Sequence, residues 1–134
     1  LLTLNPSSLA AYATGSSPLG GGTIASAPTK CLGVAAAASC TAAQLAAWDR
    51  WEWEQRIDGV STLNKDASNA SAGGLVAPQG CIVVNGRQVR VLINWRGLVA
   101  ATDPAGANTS CGTWSTTDQP YRQVVVVNSV ISPL

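Results

Sequence analysis

Residues 31–57 constrain this chain more than any other stretch. Cys31 and Cys40 bracket a short loop, and Cys40 runs straight into Thr41-Ala-Ala-Gln-Leu-Ala-Ala-Trp-Asp-Arg-Trp-Glu-Trp-Glu-Gln-Arg-Ile57. Thr41 is placed to accept from the Gln44 amide while the Gln44 side chain reaches back to the Thr41 amide, a reciprocal T-x-x-Q capping box. The alanines and Leu45 supply helix propensity and Asp58-Gly59 supplies the stop, so the spacing predicts a helix over 41–57. At about 100° per residue, Trp48 and Trp51 fall on one side with Ala47 and Gln55, while Ala46, Trp53 and Ile57 fall on another. Two apolar strips predict two contact surfaces, one for the core and one for a neighbour. A tryptophan cluster on a capped helix is most often core, given the area each ring must bury, and otherwise Trp48, Trp51 and Trp53 are the candidate partner surface, because aromatic residues are enriched at interface hot spots.

The four cysteines meet no histidine and no methionine. Without histidine neither a Ser-His-Asp triad nor a Cys-His pair can form. A four-cysteine zinc site needs closely spaced pairs, which positions 31, 40, 81 and 111 do not offer. Two disulfides are the better reading, and they imply an oxidising compartment. Four cysteines allow three connectivities; locality favours Cys31 with Cys40, leaving Cys81 with Cys111. With charged residues at 11% and a net charge of +1, no field argues for nucleic acid, a membrane surface or an acidic substrate. The 134 residues fit one domain, 1–134. The chain as given shows neither a signal peptide nor an apolar run long enough to span a bilayer.

Along the chain, Asn5-Pro6 reads as the end of an upstream helix. Residues 14–29, rich in glycine and serine with Gly20-Gly-Gly22 at their centre, read as a surface loop that packs no core. Residues 60–80 read as a second loop with at most a short strand at 75–77. Two β-rich runs, 81–84 and 87–95, flank Asn85-Gly86, a strong hairpin signal. In the second run Val89, Val91, Ile93 and Trp95 alternate with Gln88, Arg90, Leu92 and Asn94, which predicts that the first set is the buried face. A long loop holds Cys111 and Trp114, and residues 121–131 close the chain as a strand. Its uninterrupted valines predict a central position covered on both faces. The fold class expected is α+β: one main helix and an antiparallel sheet of three to four strands with long disulfide-pinned loops.

Asp49, Glu52, Glu54 and Asp58 line the helix with Arg50 and Arg56 interleaved, the pattern of a solvated, ion-paired face. Arg87, Arg90, Arg96 and Arg122, with Trp95, Trp114 and Tyr121, suggest a single-strand nucleic-acid binder, against which the near-zero net charge weighs. Gly20-Gly-Gly22 lacks the Lys-Ser/Thr of a phosphate loop. Asp103 to Asn108 is better read as a turn than as a calcium loop. Asn69-Ala-Ser71 and Asn108-Thr-Ser110 both match the glycosylation acceptor N-x-S/T, which matters only in a eukaryotic secretory route. No catalytic residue, metal site or cofactor is expected.

The order of Tyr12-Ala-Thr-Gly15, the Cys31 to Cys40 loop, Thr41-Ala-Ala-Gln-Leu-Ala-Ala-Trp-Asp49, Trp51-Glu-Trp53, Gly80-Cys-Ile82, Ile93-Asn-Trp-Arg-Gly97, Cys111 and Tyr121-Arg-Gln-Val-Val-Val-Val127 resembles the PilV-type minor pilins, or type IV pilus modification proteins. The resemblance implies a pilin fold, a long N-terminal helix packed on an antiparallel sheet. It implies a structural or priming subunit at the pilus tip, with other minor pilins and the major pilin as partners. It implies anchoring in the inner membrane through an apolar helix before assembly and exposure in the periplasm and at the cell surface afterwards. The peptidase site and apolar helix of the family are not in the given sequence, and Leu1 to Leu4 correspond to the tail of that helix. An open sheet face then predicts lowered stability or self-association. The rivals are a type II secretion pseudopilin and a tip adhesin or DNA-binding pilin.

Overall fold

A computed structural model describes residues 6–31, 40–60, 73–103 and 110–132. The elements run α1 (Pro6–Ala10), α2 (Ala42–Ile57), β1 (Gln79–Asn85), β2 (Gln88–Arg96), a 3-10 turn (Gln119–Tyr121) and β3 (Arg122–Val130). This is an α+β fold with one main helix and an antiparallel sheet in the order β1-β2-β3. No helix among the described residues is long and apolar enough to cross a membrane. Pro6 opens α1, where the first helical position needs no N–H from proline, and the helix end expected at Asn5 lies outside the described residues.

The start of α2 is the capping box read from the sequence: the Gln44 N–H donates to Thr41 Oγ1 at 3.2 Å, and the Thr41 N–H donates to Gln44 Oε1 at 2.9 Å. Its end is Asp58, followed by Gly59 at φ +69°. The hairpin between β1 and β2 pairs Asn85 with Gln88, so the two loop residues are Gly86 and Arg87 rather than Asn85 and Gly86. Gly86 alone takes a positive φ, +60°, the pattern of a turn with glycine in its first central position. Residues 75–77 form no strand; Val76 and Ala77 make a bend, and the Val76 carbonyl accepts from the Arg96 N–H at 2.8 Å.

Two expectations about the sheet are corrected. The closing strand is an edge, not the centre, and β2 holds the middle. A run of valines records β propensity, but the number of neighbours a strand receives is set by the connections, which here return β3 to the open side of a hairpin. The most deeply buried residues of β2 are Leu92 and Asn94, while Val89, Val91, Ile93 and Trp95 are only half-buried. The cause is the cover on each face. Cross-strand neighbours share a face, so Cys81, Leu92 and Val126 lie together. There the Cys81–Cys111 disulfide seats the 110–118 loop on them as a small core.

The opposite face carries Gly80, Ile93 and Val125 in one cross-strand row. α2 covers only its β1 end. A Cβ on Gly80 would lie 2.8 Å from Trp53 Cη2 and 3.3 Å from Ile57 Cδ1, so the glycine lets the helix settle directly on the strand. At the β3 end Val125 and Val127 stay exposed, which also corrects the expectation that this strand is covered on both sides.

Candidate functional site

The most tightly built polar feature is centred on an acid that the sequence pattern predicts to be solvent-exposed. Glu54 is fully buried, whereas its position among helix charges suggested a solvated, ion-paired face. Its Oε1 accepts from the N–H groups of Gly20 at 2.8 Å and Thr23 at 2.7 Å, and its Oε2 from Ile24 at 2.8 Å. One turn on, Asp58 accepts from Gly21 and Gly22 at 2.8 and 3.1 Å. The glycine-rich loop thus curls its amides around two carboxylates of its own chain, a nest for negative charge that is internally filled. Glycine permits it: Gly20, Gly21 and Gly22 all take positive φ, at +123°, +68° and +76°. Buried charge without this pairing would cost several kcal/mol, roughly, which is why the acid and the loop belong together.

Further contacts fasten the same loop. The Tyr12 hydroxyl donates to Asp49 Oδ2 at 2.6 Å, and Arg50 Nη1 donates to the Ala13 carbonyl at 3.2 Å. Burial, then the hydrogen bond to Asp49 and its negative charge, push the Tyr12 phenol above its ordinary range. Among the described residues, the ion pair along the helix is that of Glu52 with Arg56, at 3.1 Å. The expectation that residues 14–29 pack no core also fails, because Thr14 and Leu19 are buried. Leu19 bridges Gly80 in both directions, at 2.8 and 2.7 Å, and the Ile82 N–H donates to Thr14 Oγ1 at 3.1 Å.

The cysteines pair as Cys31–Cys40 and Cys81–Cys111, and the described residues include no free thiol. Two disulfides point to an oxidising, extracytoplasmic environment. Two side-chain amides, cross-strand neighbours, hold the loop that the second disulfide pins: Asn94 Nδ2 donates to the Cys111 carbonyl at 3.1 Å and Gln79 Nε2 to the Thr113 carbonyl at 2.8 Å. The tryptophans divide. Trp53 turns to the sheet, while Trp48 and Trp51 meet each other on the other side of α2, ring centroids 4.9 Å apart and tilted by 43°.

The arginines do not form an open basic strip. Arg90 Nε donates to Asn128 Oδ1 at 3.0 Å, Arg96 pairs with Asp118 at 2.9 Å while lying 5.2 Å from the Tyr121 ring centre, and Arg122 pairs with Asp103. Arg87 Nη1 donates to the Ile131 carbonyl at 3.4 Å. Asp118, held by Ser115 and then Arg96, is more acidic than usual. An open depression of about 520 Å³ at the hairpin end is lined by Val83, Asn85, Gln88, Arg90, Asn128 and Val130 among others, with no carboxylate in its wall. Among the described residues no cluster of acidic and cysteine side chains is arranged to hold a metal ion. Asn69, Asn108 and most of the 103–108 turn lie outside the described residues.

The Glu54 nest, buried within the chain, could be found from sequence only as a coincidence: a glycine run and an acid on the helix, with nothing local to link them. Acids, arginines and amides in this arrangement each hold a loop in place. Comparison with models of protein families, with curated proteins and with solved structures finds no match to this chain.

Proposed function

We propose that this chain is a minor pilin, a structural or priming subunit of a bacterial type IV pilus that works with other minor pilins and the major pilin. The observation that carries the reading is the half-covered sheet face. α2 occupies its β1 end through Trp53 and Ile57, and at the β3 end Val125 and Val127 lie exposed beside the half-buried Ile93. A contiguous apolar strip of this kind suits a long helix laid across the sheet, as the resemblance implies for the family. Two disulfides suit assembly outside the cytoplasm, as expected for a periplasmic and surface-exposed subunit.

Trp48 and Trp51 are the surface proposed for the neighbouring subunit, and Trp53 is a packing residue. Co-expression with the other minor pilins and affinity recovery test the reading with Trp51→Ala and Trp53→Ala. Trp51→Ala is expected to keep the fold and lose the partner, and Trp53→Ala to lower stability by about 3 kcal/mol or more. Recovery of partners by folded Trp51→Ala at the level of the native chain would remove the tryptophan surface from the proposal. Failure of the native chain to recover any minor pilin would remove the proposal itself.

A further inference from the structure

The outward groups of β3 follow from its ladder. The Gly97 N–H donates to the Tyr121 carbonyl and the Ile131 N–H to the Arg87 carbonyl, both at 2.9 Å, at the two ends of the β2–β3 pairing. The register between them, from Gln88 with Val130 to Arg96 with Arg122, is unbroken by any bulge. In an antiparallel pair the hydrogen-bonding direction alternates with every residue. Odd-numbered residues of β3 therefore bond to β2, and Val124, Val126 and Asn128 direct N–H and C=O away from the sheet. Among the described residues no backbone hydrogen bond meets those groups. The strand also lacks what normally discourages further pairing, since it holds no proline, no lysine and no inward charge along 123–130.

We infer that the β3 edge is a strand-addition site whose occupant is a second copy of this chain, paired antiparallel about a two-fold axis at Val126. The strand is complementary to itself in that register. Val126 meets its own counterpart as a hydrogen-bonded pair, and Val124 meets Asn128 in both directions, so the outward groups of all three residues are matched. Val125 then faces Val127 twice in non-hydrogen-bonded pairs, where side chains approach most closely, and the exposed valines of the two copies merge into one apolar strip. The strand's only charge, Arg122, falls at opposite ends of the pair, opposite Val130, so no like charges meet. The result is an isologous contact that continues one sheet across both copies.

The test is sedimentation of the chain across a concentration series to millimolar, with amide hydrogen exchange measured at both extremes. A monomer–dimer equilibrium is expected, in which the Val124, Val126 and Asn128 amides exchange freely in dilute solution and slow markedly in the dimer. The Val125 and Val127 amides, bonded to β2, stay slow throughout. Val125→Lys with Val127→Lys alters two exposed side chains and places four ammonium groups together in the dimer, so the dissociation constant rises by about tenfold or more. Asn128→Pro removes an outward N–H that β2 does not use and provides the second variant, with circular dichroism confirming that each keeps its fold. A chain that stays monomeric at millimolar concentration overturns the proposal. So does a dimer whose Val124, Val126 and Asn128 amides still exchange freely, which would mean that the valine face packs without edge pairing.

Discussion

β1 and β3 are the two margins of one small sheet, and they are finished in opposite ways. On β1 the chain doubles back: Leu19 bridges Gly80, Thr14 answers both backbone groups of Ile82, and the loop between them is clamped to α2 by Glu54 and Asp58. On β3 no described segment returns, and three valines lie exposed along it. An edge can thus be closed without a further strand, by a loop whose own stability comes from a helix on another part of the chain. Residues 14–24 bury Leu19 against β1 and hold the rest of their course through amides directed at carboxylates. Among the described residues, the backbone of β3 over 123–130 is bonded on its β2 side alone.

The comparison breaks most completely at Glu54. Glu54→Ala leaves the Gly20, Thr23 and Ile24 amides without their acceptor and is expected to lower the unfolding free energy by about 3 kcal/mol in urea titration. The Gly80 and Ile82 amides should then exchange nearly as fast as those of Val124 and Val126. An unchanged midpoint would show that the nest does not hold the loop.

Approached from the helix side, Gly80→Ala places a methyl against the Trp53 ring and should cost about 1–3 kcal/mol, with a shift in tryptophan emission as the ring gives way. Native-like stability and emission together would mean that Trp53 moves aside freely. Thr14→Val keeps the shape of the side chain but withdraws the acceptor from the Ile82 N–H, an expected loss of about 1 kcal/mol. Its diagnostic readout is faster exchange at Ile82 with Gly80 unaffected; equal acceleration of both amides would show that the covering loop had left as a unit.

The smallest effect concerns Tyr12, at the beginning of the covering loop. Its phenol is pushed up in the fold by burial, then by the Asp49 hydrogen bond and charge. The fold therefore favours the protonated form, and the contribution is complete below the ordinary tyrosine value of about 10 and is lost as pH rises through the alkaline range. Tyr12→Phe should lower stability at neutral pH by about 1 kcal/mol and flatten the alkaline decline. Parallel declines for the two proteins in pH-dependent urea unfolding would show that Tyr12 does not contribute to it.

Legibility followed the range of the interactions. The capping box lies within one turn, and the favoured disulfide pairing followed proximity along the chain; both appear in the structure. The hairpin was readable too, displaced by one residue because the choice between Asn85-Gly86 and Gly86-Arg87 depends on register against the whole of β2. Glu54 reads as solvated in the sequence because its partners lie at Gly20, Thr23 and Ile24, across the Cys31 to Cys40 loop, and a carboxylate among helix charges looks solvated until the amides that donate to it are known. Leu92 stood out as the apolar member of a polar set, and that irregularity marked the face beneath the Cys111 loop. The edge position of β3 had no local signature, since the same valines serve a central strand or a margin. The tryptophan strips were legible as directions around a helix, and the structure turns Trp53 to the sheet, leaving Trp48 and Trp51 together on the other side.

Glu54 also sets the number of ends at which sheets of this kind can be joined. With the carboxylate in its nest, β3 is the one margin left bare among the described residues, so the proposed edge pairing is used up once two copies have met. If the nest is lost and the loop lifts from Gly80, each molecule has two bare margins, and every copy added leaves another exposed. A single helix carboxylate then separates an association that closes on itself from one that lengthens without limit.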